Sequence, residues 1–124
     1  MKDLTKIITG KEGEKAAVSF LKRNGYCIID SNFRCALGEI DIIAREKDEI
    51  VFIEVKTRTS DRLGYPEQAV DTKKQKKMSQ LALWYLQNKN AGDCRARFDV
   101  VAVLTSSSGH EIKLIKNAFD FIPA

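Results

Sequence analysis

A single α/β domain, ordered as helix, three strands, helix and one or two further strands, is what these 124 residues predict. Three observations carry that expectation: an amphipathic stripe near the N-terminus, two alternating apolar segments between residues 38 and 58, and a long helical stripe followed by the unbroken apolar run FDVVAVL. The length suits one domain over residues 1–124, enough to bury roughly two-thirds of the unfolded surface without disulfide or metal staples.

Thr9 with Glu12 fits a capping box, so the first helix is expected to begin near Gly10 and to stop before Gly25. Ala17, Val18 and Leu21 form its apolar stripe, and helical spacing puts Glu14 on that same face. A first-turn acid is also favoured by the helix dipole, so Glu14 is either a solvated dipole partner or an acid aimed inward. YCIID reads as a short strand within Tyr26–Phe33, and SNFRCALG as an irregular connection. Glu39 to Ala44 and Ile50 to Lys56 then alternate as strands. TSDRLGYP is a polar loop that could close over a ligand. From Pro66 a long helix is expected to run to about Gln87, with Met78, Leu81, Ala82 and Tyr85 buried; the same stripe reaches back to Lys74 and Asp71. FDVVAVL reads as a strand covered on both faces, Thr105 to His110 as a turn, Glu111 to Lys116 as an edge strand, and Asn117 to Ala124 as a tail packing Phe119 and Phe121.

The chemistry concentrates in GEIDIIAREKDEIVFIEVKTR, residues 38–58, where Glu39, Asp41, Glu54 and Lys56 interrupt apolar strands. An unpaired carboxylate is expensive to bury, so these acids need compensation, and a divalent cation with a neighbouring lysine supplies it. Asp41 and Glu54 can share a face only if the connecting loop has an even number of residues, such as Lys47 and Asp48, or if a bulge intervenes. A two-residue loop would set Asp41 opposite Glu54 and Glu39 opposite Lys56. Mg²⁺, with Mn²⁺ as substitute, accepts one or two carboxylates and fills its shell with water and substrate oxygens, which suits phosphodiester hydrolysis. Asp41 and Glu54 are the expected ligands. Lys56, on the side of Glu54, is expected to stay protonated and to orient the attacking water or meet developing charge. Taken alone, an acid two positions before a lysine describes a solvated edge strand equally well.

The net charge of +4 is uneven. Residues 55–80 hold Lys56, Arg58, Arg62, Lys73, Lys74, Lys76 and Lys77 against Asp61, Glu67 and Asp71, and the rest of the chain is balanced. That surplus suits a phosphate-tracking surface or a lysine-rich solvated helix, with Lys74 looking inward and Lys73, Lys76 and Lys77 outward. Three cysteines without CxxC spacing argue against a disulfide framework or zinc site, and Cys35 reads as a small apolar filler. The lone His110 sits in SSSGH with no acid to orient it, and no P-loop is present. The start, MKDLTKIITG, lacks a leader-like apolar core, and no segment is long enough to span a bilayer, so a cytoplasmic protein with no membrane partner is expected.

GKEGEKAA, NFRCALGEIDIIA, VFIEVKTR, the KQ-containing helix and RFDVVAV, in that order, resemble the bacterial YraN-type family of endonuclease-like proteins over nearly the whole chain. That family is in turn similar to archaeal Holliday-junction resolvases and the restriction-endonuclease-like superfamily. The resemblance implies an αβββαβ core, a mixed central sheet flanked by helices, with an acid, an Asp and a Glu-x-Lys as its site. Residue by residue these fall on Glu14, Asp41, Glu54 and Lys56. Arg34 and Glu39 match the pattern around GEID, with Glu39 in a supporting role such as a salt bridge. The implied function is metal-dependent cleavage of DNA, branched or structured, with RNA not excluded and Arg34, Arg58, Lys73, Lys74 and Lys77 as nucleic-acid contacts. The alternative is a nucleic-acid-binding module of the same fold that does not cut. A homodimer would match a symmetric junction.

Overall fold

The structure, a computed structural model, describes residues 10–59, 70–106 and 109–124. The Thr9 cap, the expected loop from Ser60 onward with Arg62, the Pro66 helix start and the centre of the turn before His110 lie outside those residues. Helix α1 spans Gly10–Arg23, strand β1 Cys27–Cys35, β2 Gly38–Glu46, β3 Glu49–Thr59, helix α2 Thr72–Asn88, β4 Arg95–Ser106 and β5 Gly109–Phe119. The five strands form one mixed sheet in sequential order, with β3 and β4 parallel and the other pairs antiparallel. A parallel pair needs a crossover, and α2 lies on it. Among the described residues no helix is long and apolar enough to cross a membrane.

The helices cover opposite faces, because each strand of the middle sheet offers apolar side chains both ways. Ala17 and Leu21 of α1 pack with Ile42, Ala44, Val51, Ile53, Val101 and Val103. Met78, Leu81, Ala82 and Tyr85 of α2 pack with Ile43, Ile50, Phe52, Phe98 and Val100. The stripe expected for the long helix is the one buried. Its start differs: α2 begins at Thr72, with the Asp71 carboxylate accepting the Lys74 backbone N–H at 2.8 Å. Asp71 therefore caps the helix instead of extending its inward stripe, placing a negative charge where the dipole favours one. α1 stops where expected, ahead of Gly25 at φ 91°.

The strands all run longer than expected, and two of them change the reading. SNFRC is not an irregular connection but the second half of β1, with Phe33 opposite Ile40 and a register shift between Ile28 and Asp30. Its outer residues are polar because β1 is an edge strand, which hides the alternation, while Phe33 turns inward against Trp84 and Tyr85 at 5.8 and 5.3 Å between ring centroids. β5 extends from Gly109 to Phe119, so His110 pairs with Thr105 in a strand and not in a turn. In the tail, Phe119 stacks on Phe98 at 4.7 Å, whereas Phe121 is exposed.

An ionic cluster absent from the sequence reading closes the hairpin end of the sheet. Arg97 donates to Asp99 at 2.9 Å, Glu46 at 2.6 Å, Glu49 at 2.5 Å and the Tyr26 hydroxyl at 3.0 Å. Asp99 is fully buried and also accepts from Tyr26 and from the Asn117 backbone N–H. One guanidinium thereby ties β2, β3 and β4 together, its donors matched by carboxylates.

Candidate active site where two strands part

β2 and β3 separate at the end opposite Arg97. The hairpin closes with Glu46 opposite Glu49, so the loop is the two residues Lys47 and Asp48, as parity requires, with Lys47 at φ 55°. The ladder runs on to Ile42 opposite Ile53 and ends there. β3 continues to Thr59 along β4, while β2 continues back to Gly38 along β1. Beyond the last pair the Val55 N–H donates to the Asp41 carboxylate at 2.8 Å. A side chain thus replaces the main-chain acceptor that a continued ladder would have offered. Asp41 is also where side-chain alternation breaks: Ile40 packs under α2, yet Ile42 packs under α1. The register sets Asn32 across from Asp41, and Asn32 has φ 56°. The kink in the edge pair and the parting of the strands occur together.

This geometry modifies the expected pairing. Asp41 reaches toward β3 in the gap between parted strands instead of facing Glu54 across a continuous sheet. Glu39 does not face Lys56 either; it pairs with Arg34 at 3.1 Å on the surface.

Glu54 is the buried acid of the group, 5% exposed. Lys56 Nζ lies 3.4 Å and Lys74 Nζ 3.6 Å from its carboxylate. The Asp71 cap fixes the helical turn that carries Lys74, which is how a residue distant in sequence reaches the β3 carboxylate. Burial raises the Glu54 pKa above its ordinary value and the charge of Asp41 raises it further, while Lys74 and Lys56 oppose both.

Glu14 enters from the opposite face. The α1 backbone at Gly13 presses on β3 so closely that a Cβ there would overlap the Thr57 hydroxyl, and the next residue, Glu14, is consequently delivered beside Asp41. Burial raises the Glu14 pKa, with Asp41 and Glu39 adding to the rise and a hydrogen bond from Asn32 counteracting it. The structure therefore brings together Glu14, Asp41, Glu54, Lys56 and Lys74. Arg34, Arg58, Lys73 and Lys77 are exposed around them without joining the cluster.

Sequence reasoning missed the Val55 N–H, Asn32 and the Gly13–Thr57 contact. The only available signal was a glycine inside an amphipathic helix, which marks close approach of another element. Among the described residues no three or more His, Cys, Asp or Glu side chains gather to hold a metal ion. Asp41 and Glu54 are instead an all-oxygen pair beside two lysines. Their donor chemistry fits Mg²⁺, which draws most of its shell from water and substrate.

Residues 13–103 match the model of the uncharacterised protein family UPF0102, the YraN family. The chain is 52% identical over 112 residues to a UPF0102 protein of Syntrophus aciditrophicus, covering 90% of this chain and 88% of that protein. It is likewise 52% identical over 116 residues to a UPF0102 protein of Acetivibrio thermocellus, covering 89% of each. Among solved structures it is similar to Pyrococcus furiosus SfsA in complex with Ca²⁺, with a TM-score of 0.40 and 17% identity over 94% of this chain and 68% of that one.

Proposed function

The chain belongs to the uncharacterised protein family UPF0102, and from that premise we propose that it is a Mg²⁺-dependent endonuclease hydrolysing phosphodiester bonds of DNA, branched or otherwise structured. The observation that carries this reading is Glu54, a buried carboxylate bracketed by Lys56 and Lys74, with Asp41 in the gap beside it. A merely structural acid at this depth would be matched by tight hydrogen bonds, as Asp99 is. The order α, β, β, β, α, β, with a helix on each face of a mixed sheet, supports a restriction-endonuclease-like core as the scaffold.

In this reading Asp41 and Glu54 hold the metal, with Mn²⁺ able to substitute. The ion would neutralise charge on the phosphoryl oxygens and assist the departing oxygen. Lys56, paired with Glu54, orients the attacking water and meets charge developing at phosphorus. Lys74 offers a second cation from α2 at the same carboxylate. Glu14, its pKa raised by burial, is suited to accept the proton that the attacking water loses. The exposed Arg58, Lys73 and Lys77, with Arg34 at the edge, track the flanking phosphates.

Incubating the purified protein with branched, single-stranded and duplex DNA in Mg²⁺, Mn²⁺ or EDTA tests the proposal. Metal-dependent cleavage that disappears in Asp41→Asn and Glu54→Gln is the expected result. Binding without cleavage under every condition would overturn it in favour of a non-cutting module.

A further inference from the structure

A cavity of about 490 Å³ opens between α1 and the β1–β2 pair, and Asp41 forms part of its wall. That volume falls within the roughly 300–1,000 Å³ typical of small-molecule sites, far more than a water or a cation needs. Half-buried Val18 gives it an apolar patch, backed by the fully buried Ile42 beneath. Lys11 and Lys15, one helical turn apart and exposed, stand at its rim. Asn32 supplies an amide from the opposing strand, with both donor and acceptor capacity.

We infer that this cavity receives an unpaired nucleotide adjacent to the phosphodiester under attack, so that the substrate class is DNA with an unstacked base at that position. The inference rests on the nuclease reading of the site, since Asp41 is common to both. Glu14 and Asp41, which also line the cavity, are the carboxylates already assigned to the reacting phosphodiester. Of the other lining residues, Val18 takes the face of a base, the Asn32 amide addresses its edge, and the two lysines accompany the phosphates on either side. A strand whose phosphate lies at Asp41 and Glu54 has its neighbouring nucleoside at the cavity mouth. A base stacked in a duplex hides both faces, and extruding it costs a few kcal/mol. DNA that already carries an unpaired base, as at a junction, flap or bulge, avoids that penalty.

The test uses two duplexes of one length with 2-aminopurine at a single position, paired in one and unpaired in the other, with Ca²⁺ in place of Mg²⁺ to keep the strands intact. The unpaired form should bind about ten-fold tighter or more, which is the extrusion penalty expressed as affinity. Its 2-aminopurine should be shielded from acrylamide quenching when bound. Filling the cavity with Val18→Phe should abolish both the preference and the shielding. Ser19→Phe, from an exposed position on the same wall, repeats the test where Val18→Phe fails to fold. Equal affinity for both duplexes with the probe open to acrylamide, alongside metal-dependent cleavage, would overturn the cavity assignment and leave the nuclease reading standing. Absence of binding and of cleavage for either duplex would overturn both.

Discussion

Gly13→Ala should destabilise the protein and weaken its activity, although alanine is the better helix former. Gly13 lies in α1 with ordinary helical backbone, so the substitution by itself is worth up to about 1 kcal/mol in favour of folding. Against that, the new Cβ would overlap the Thr57 hydroxyl oxygen, with the Thr57 Cβ only 3.5 Å away. Overpacking of this kind costs about 1–3 kcal/mol, and the threonine can relieve it only by turning χ1 within a strand or by pushing α1 outward. The expected net change is a loss of about 1 kcal/mol. In a Thr57→Ala background the overlapping atom is gone, and the same Gly13→Ala change should stabilise by up to about 1 kcal/mol. Urea unfolding of the four proteins closes the cycle, with a coupling of about 1–3 kcal/mol expected. Cleavage should fall in the single variant, since a displaced α1 carries Glu14 away from Asp41. If Gly13→Ala stabilises equally in both backgrounds, the helix does not rest on Thr57 and the account of how Glu14 reaches the site is wrong.

Arg97→Met should cost about 3–5 kcal/mol by leaving the fully buried Asp99 and half-buried Glu46 and Glu49 without their common partner, a loss read from denaturant midpoints. A change below 1 kcal/mol would show the cluster to be peripheral. The raised Glu54 pKa means that the folded protein holds its proton longer than the unfolded chain, so this group's stabilisation is complete below the ordinary carboxylate value and is lost as pH rises through the folded value. In EDTA, Glu54→Gln should therefore match the parent near pH 4 and melt progressively higher than it toward about pH 8; a melting difference that shrinks with rising pH refutes the assignment. Glu46 behaves oppositely: its hydrogen bond with Lys116 lowers its pKa against the effect of burial, with Arg97 assisting. Its stabilisation is present above the ordinary value and lost as pH falls through the folded one, so Lys116→Met should lower stability at neutral pH and flatten its fall on acidification, read from denaturant midpoints at several pH values. Replacing Lys73 and Lys77 by glutamine should weaken DNA affinity and reduce the slope of log affinity on log salt by about one to two; an unchanged slope would remove α2 from the interface.

The element order, the two-residue hairpin loop and the inward turn of Lys74 were legible because each depends on local period. Helical spacing from Met78 and parity between Ile42 and Ile53 need no knowledge of distant contacts. What escaped was non-local. FDVVAVL reads as apolar, and nothing adjacent to Asp99 reveals that Arg97, Tyr26 and the Asn117 amide converge on it. A helix unbroken as far as Gln87 was expected through Asp71, but Asp71 is extended and secures the turn at which α2 begins. The site residues were visible as charges inside strands. Their meeting point depends on β2 leaving β3 after Ile42, and no pattern in either strand announces where a ladder stops.

Seen along its length, the β2–β3 pair is a zipper fastened at one end and already open at the other. Thermal opening of such a pair propagates from the free end, so amide exchange among the β3 groups facing β2 should quicken from Glu49 toward Val55. The candidate site occupies the stretch of sheet whose separation costs least. A ligand there can widen the gap by releasing a single amide from a single carboxylate, while Arg97 keeps the remainder of the sheet in register.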